Sequence, residues 1–262
     1  MRHIAFAAAL AFALAGCAED TPAEPPATRY SPDRYQQAIT DIGRLDDLAS
    51  DAQRLPGELL AFAQVDRGEV VGDYIMGGGY VTRLLAIAVG RQGKVYAFQP
   101  DEFIAADAQY ATDQDQTVRR YTDAQGTELN VFALRGPLAD PGWPEPLDTI
   151  ITVMNFHDLY RDTVPAGTPD AVSRMLFDSL KPGGVLVVVD HQAADDAGVD
   201  AAQSLHRMDR NLAMTALTEA GFLLEAESDL YARPEDPRTA SVFDEGLRKR
   251  SDQFAWRLRR PQ

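Results

Sequence analysis

The chain has 262 residues, with 40 acidic side chains against 25 basic ones and a formal net charge of −15. A surface so acidic lacks the positive field that nucleic-acid backbones and anionic membranes require. With Cys17 as the single cysteine, no intrachain disulfide can form, so a hydrophobic core must hold the domain together.

Residues 1–17 read as a processing segment. Arg2 and His3 precede the apolar run Ile4 to Leu14, which ends in Leu14-Ala-Gly-Cys17. The run is too short to span a bilayer and resembles a bacterial lipoprotein signal, in which Cys17 carries the lipid and becomes the new N-terminus. That expectation makes the product a periplasm-facing envelope lipoprotein of the outer membrane, held by its lipid anchor. Residues 18–30 are small, polar and proline-rich, the composition of a tether. Residues 31–262 then form a single domain, about 230 residues being enough for one packed core.

Within it, Pro32 to Leu48 reads as a polar helix and Pro56 to Ala63 as a shorter one with Leu59, Leu60 and Phe62 inward. A strand over Glu69–Ile75 leads into the turn Gly77-Gly78-Gly79, and the apolar side of a helix follows in Val81, Leu84, Leu85, Ile87 and Ala88. Lys94–Phe98 is the next strand, ending at Gln99-Pro100. Strand, glycine turn, helix and strand make the βαβ unit that binds nucleotide-like cofactors, because glycine lets a ligand approach the backbone and the helix start offers free N–H groups. A helix from Glu102 to about Tyr110 precedes a polar loop, and Leu129–Leu134 and Thr149–Phe156 are further strands.

Thr168, Pro169 and Asp170 open a helix with Val172, Met175, Leu176 and Leu180 on one face, and Lys181-Pro-Gly-Gly184 stops it. Val185–Val189 is a strand covered on both faces. Asp209 to Ala220 is a helix ending at Gly221, and Phe222–Glu227 and Phe254–Arg259 are strands joined by a long excursion. In the Arg-rich tail from Arg248 to Arg260, basic and apolar residues alternate as they do on an edge strand. The expected class is α/β, a doubly wound, mostly parallel sheet with an antiparallel element at its end, whose strand order the pattern does not give.

Several segments together resemble the class I S-adenosylmethionine-dependent methyltransferases, in particular a bacterial group of predicted methyltransferases. They are Asp51-Ala-Gln-Arg-Leu-Pro56, Asp73 through Tyr80, Asn155-Phe-His-Asp158, Leu180-Lys-Pro-Gly-Gly-Val185, Asp190-His191, Leu205-His-Arg207 and Ser251-Asp-Gln-Phe254. The resemblance implies a seven-stranded Rossmann-like sheet whose last strand is antiparallel, S-adenosyl-L-methionine as cofactor and a small-molecule methyl acceptor. It puts Asp73 near the cofactor's methionine portion, Gly77 and Gly79 beneath the cofactor, Gln99 where many members carry a ribose-gripping acid, and Asn155 in the same set. Two departures stand out. Ile75 replaces a common glycine, and Gln99 offers one acceptor oxygen and a donor amide in place of a carboxylate.

Past residue 17 the chain has three histidines, His157, His191 and His206. His157 and His191 each follow a strand, where open α/β sheets bind ligands, and Asp158 and Asp190 flank them. In a methyltransferase His157 or His191 would accept the acceptor's proton, with Asp158 or Asp190 orienting the imidazole. The alternative has Asp190 and Asn155 hydrogen-bonding loop backbone while the histidines pack at the rim. The same donors also suit a divalent metal, which would make the chain a metal-dependent hydrolase; a non-catalytic ligand-binding lipoprotein is the third reading. No motif identifies a protein partner.

Overall fold

The computed structural model describes residues 29–262, so the signal segment, Cys17 and the tether up to residue 28 lie outside the described residues. The tether's last two residues are held in place: Arg29 and Tyr30 both bond Asp66, at 2.5 and 2.7 Å. Among the described residues no helix is long and apolar enough to cross a membrane.

The expected helix over Pro32–Leu48 is broken into short turns at Pro32–Tyr35, Gln36–Ile39 and Ile42–Arg44. Asp41 stops it by accepting the Gly43 N–H at 2.8 Å, a local bond that competes with helix propagation. Helices Leu48–Arg54 and Pro56–Ala63 follow, and then strand β1 (Val70–Tyr74). The glycine turn leads into helix Tyr80–Val89 and β2 (Lys94–Pro100). Residues expected to be loop form a second helix, Gln109–Arg119, after Asp101–Ala106. Its buried anchors are Gln114, Thr117 and Val118, too few and too polar to show as an apolar stripe.

Strands β3 (Val131–Gly136), β4 (Leu147–Val153) and β5 (Leu180–His191) continue the alternation, with helix Thr168–Ser179 between the last two. Helices Asp200–Leu205 and Arg210–Ala220 precede β6 (Leu223–Ser228) and β7 (Gln253–Arg259). Asp209 caps the longer helix through the Asn211 N–H, and Gly221 ends it at φ 111°.

The sheet order is β3-β2-β1-β4-β5-β7-β6. β7 alone runs antiparallel, and it lies between β5 and β6. The strand part of the Arg-rich tail, Gln253–Arg259, is therefore interior and not an edge; Arg257 and Arg259 both reach Glu225 on the neighbouring strand. Burial on both faces of β5 is as expected. Val185, Val187 and Val189 join the core beneath Leu59, Leu84 and Leu85, while Leu186 and Val188 join Phe98, Leu176, Leu217 and Trp256 on the opposite face.

Candidate functional site

The C-terminal ends of β2, β4 and β5 converge on one crevice, as expected for an open α/β sheet, and β1 ends beside them. At the end of β1, Ile75 adopts φ +63°, a left-handed conformation that β-branched residues rarely take. The turn geometry of the glycine motif thus persists although the glycine is gone. Two bonds hold it: Met76 N–H donates to Phe98 O at 2.9 Å, and the Asn155 amide donates to Ile75 O, also at 2.9 Å. Asn155 donates further to Val153 O at 2.8 Å, so its amide nitrogen braces the loops after β1 and β4. That is the backbone-bonding role weighed for this residue, carried by its amide nitrogen.

The three glycines divide their work differently from the expectation. Side-chain carbons placed on Gly77 or Gly78 would meet nothing within 4 Å, and Gly77 sits at φ +54°. A Cβ on Gly79 would lie 2.4 Å from Thr117 Oγ1 and 2.8 Å from Arg83 Nη1. Gly79 therefore permits helix packing, and the open face belongs to Gly77 and Gly78.

Asp73 is buried and accepts the Thr82 hydroxyl at 2.5 Å, which fixes the first turn of the following helix. Burial pushes its carboxyl up to about 6, against the opposing hydrogen bonds from Thr82. A folded value above the ordinary one means that the native state holds the proton more tightly, so this group's contribution to stability falls as pH rises from about 4 to 6. Asp73→Asn keeps an acceptor for Thr82 and removes the buried charge. Thermal melts are expected to show the variant more stable than the parent above pH 6, by up to about 3 kcal/mol, with the difference vanishing near pH 4. Equal melting temperatures at both pH values would contradict a buried, charge-disfavouring site.

Gln99, next to last in β2, is fully buried, and among the described residues neither its amide oxygen nor its nitrogen has a hydrogen-bond partner. Neighbouring Gln114 cannot help, because its own amide is bonded to Ala97 O, Leu134 O and Arg135 Nε. Glu102 turns aside to accept the Leu138 N–H at 3.1 Å. Such an unmatched pair is unusual in a native interior and calls for an explanation.

The three histidines do meet. His157 and His191 have ring centroids 6.0 Å apart, and His157 and His206 5.6 Å. They line a cavity of about 490 Å³ together with Phe103, Tyr110, Asp158 and Arg161. Asp190 is the hub: it accepts the His157 N–H at 2.6 Å, the His191 N–H at 2.7 Å and the His157 Nδ1 at 2.8 Å. Both expected roles of Asp190, backbone bonding and imidazole orientation, are therefore combined in one carboxylate. Burial opposes charge on both partners, yet their mutual attraction outweighs it, raising His157 above its ordinary value and lowering Asp190 below its own. His191 differs. Burial drives it down to about 4, so it is neutral near pH 7, with Nδ1 paired to Ser251 Oγ at 2.8 Å. Asp158 lies 3.7 Å from His157 Nε2 and 3.3 Å from Arg161. It flanks the open side of the ring, while Asp190 orients it.

Two features escaped sequence reasoning. A smaller cavity of about 90 Å³ is lined by Arg54, Arg233 and Lys249 with Tyr80, Val153 and Met154. Its cations come from distant segments and no spacing announces them. The second is a buried Arg207–Asp236 pair that fixes the excursion over residues 229–252. Its one visible trace was the Leu205-His-Arg207 segment. Trp143 packs 5.8 Å from the Phe98 ring and over Gly72.

No family model matches the chain. No curated protein matches it either. Solved structures do. A SAM-dependent methyltransferase from Aquifex aeolicus aligns at a TM-score of 0.51 with 18% identity, covering 88% of this chain and 98% of its own. The [4+2]-cyclase SpnF aligns at 0.54 with 16% identity, covering 80% and 81%. An arsenic(III) S-adenosylmethionine methyltransferase from Chlamydomonas reinhardtii aligns at 0.51 with 14% identity over 76% of this chain, which spans 65% of that longer protein. At such identities the likeness establishes the fold, a Rossmann-like class I methyltransferase sheet.

Proposed function

We propose that the chain transfers a methyl group from S-adenosylmethionine to a small-molecule acceptor bound in the histidine cavity. The observation that carries this reading is the pairing of the open Gly77–Gly78 backbone with the unpartnered Gln99 amide. β1 and β2 are adjacent parallel strands, and the Met76–Phe98 bond ties the turn to the residue before Gln99. A ligand bearing two neighbouring hydroxyls satisfies both ends of that amide, one as donor and one as acceptor. The cofactor's sulfonium supplies a methyl that is already electrophilic, which leaves the protein to position the nucleophile and take its proton.

In this reading His157 takes the proton at Nε2, the nitrogen that faces the cavity. Asp190 holds Nδ1 and stabilises the imidazolium that forms, and neutral His191 packs against the pair. The fold alone does not decide the chemistry, since it also carries the cyclase SpnF. The Aquifex and Chlamydomonas methyltransferases, which share this fold, favour methyl transfer.

Calorimetry of the full chain with S-adenosylmethionine and S-adenosylhomocysteine tests the proposal. Both are expected to bind, and Gly78→Val is expected to abolish binding while leaving the melting temperature unchanged, because its side chain enters open space. Absence of binding by either compound would sink the reading. The lipoprotein-like segment ending in Leu14-Ala-Gly-Cys17 adds a second proposal, that Cys17 anchors the domain to the envelope. Cys17→Ser should release it from the membrane fraction, and unchanged partition would refute the anchor.

A further inference from the structure

We propose that the cavity also holds a divalent transition-metal ion on His157, Asp158 and His206, zinc being the ion best matched to these donors. One ring nitrogen from each histidine and one carboxylate oxygen lie within 4.8 Å of one another. Zinc binds such atoms at about 2.0–2.2 Å, so a closure of roughly 1 Å completes the set. His157 Nε2 and Asp158 Oδ1 are already 3.7 Å apart.

Three further observations favour an ion over a chance cluster. The Asp190 carboxylate holds His157 Nδ1 at 2.8 Å, which leaves the lone pair on Nε2 and reproduces the carboxylate–histidine–metal arrangement that orients ligating imidazoles. His206 sits in a left-handed backbone at φ +53°, with its ring stacked edgewise on Phe243 at 4.7 Å. Strain of this kind gathers at functional sites. The cavity beside these residues leaves room for an open coordination position, as in zinc sites that bind exchangeable ligands. Arg161, 3.3 Å from Asp158, is the competing charge; its side chain is 31% exposed and can swing outward.

The site stands on this geometry and not on methyl transfer. Where both hold, the ion takes the Nε2 lone pair that the methyl-transfer reading assigns to the acceptor's proton, so the metal-loaded chain is a resting form.

The test is calorimetric titration of chelator-stripped full chain with zinc chloride, in the absence of S-adenosylmethionine. Saturable binding of a single zinc per chain is expected. His206→Ala and Asp158→Ala, both partly exposed at the rim, should weaken it at least about tenfold, and Asp190→Asn by about 10- to 100-fold with all three ligands intact. Arg161→Ala should tighten it. Absence of saturable binding, or unchanged affinity in the His157→Ala/His206→Ala double variant, overturns the site. A parallel S-adenosylmethionine titration of the same sample reads the methyl-transfer proposal separately.

Discussion

Arg207→Ala is expected to destabilise the protein by about 3–5 kcal/mol, because it leaves a buried carboxylate without its cation. Arg207 and the Asp236 side chain are both fully buried and share a two-pronged pair at 2.9 and 3.0 Å. Arg207 also donates to Gln192 O at 2.9 Å and Ala240 O at 2.7 Å, which joins the end of β5 to the excursion. Asp236 in turn accepts the backbone N–H of Arg238 and of Asp252. Burial works against the Asp236 charge, but these donors and Arg207 outweigh it and hold its carboxyl below the ordinary value of 3.8. A depressed carboxylate stabilises the fold above its unfolded value and loses that contribution as pH falls through the folded one. Removing Arg207 raises the folded value, so the variant should begin to unfold at a higher pH than the parent. Urea denaturation at neutral pH and an acid titration read both effects. An apolar double replacement, Arg207→Met with Asp236→Leu, should recover only part of the loss: the desolvation penalty disappears with the charges, but the Arg238 and Asp252 N–H groups lose their acceptor. A single variant within about 1 kcal/mol of the parent would mean that the pair is not the clamp its burial implies.

Gln99→Leu should act in two directions at once. An amide buried without partners costs about 1–3 kcal/mol for each unmatched group, and leucine of similar reach removes both. The variant is therefore expected to melt higher than the parent, yet to lose S-adenosylmethionine binding by about tenfold or more if that amide meets two ribose hydroxyls. Gln99→Glu is the complementary change, restoring a carboxylate that accepts from both hydroxyls at the expense of the ligand-free fold. A Gln99→Leu protein that is stabilised and still binds the cofactor normally would show that the amide has no ligand role. The combination matters because the expected stability gain separates a residue kept for a ligand from one kept for packing.

The regular parts of the fold were legible because their signals are local. Five consecutive apolar residues at Val185–Val189 can only be covered on both faces, and Gly221 marks a helix end by its own backbone freedom. Helix Gln109–Arg119 was not legible: what holds it is the Gln114 amide on carbonyls of β2 and β3 and Thr117 against Gly79, contacts that leave no apolar stripe. Gly79 shows the same limit. A sequence motif can say that a residue lacks a side chain, but not whether a ligand or a helix uses the space.

The sequence by itself determined the alternation of strand and helix, the glycine turn after β1 and the placement of His157 and His191 at strand ends. Tertiary structure decided the rest: that β7 inserts between β5 and β6, and that Asp190 and not Asp158 holds the His157 ring. Backbone conformation and the burial period are set by neighbours a few residues apart and so are written in order along the chain. Hydrogen bonds such as His157 to Asp190, 33 residues away, depend on where strands end in space, and only the packed sheet fixes that.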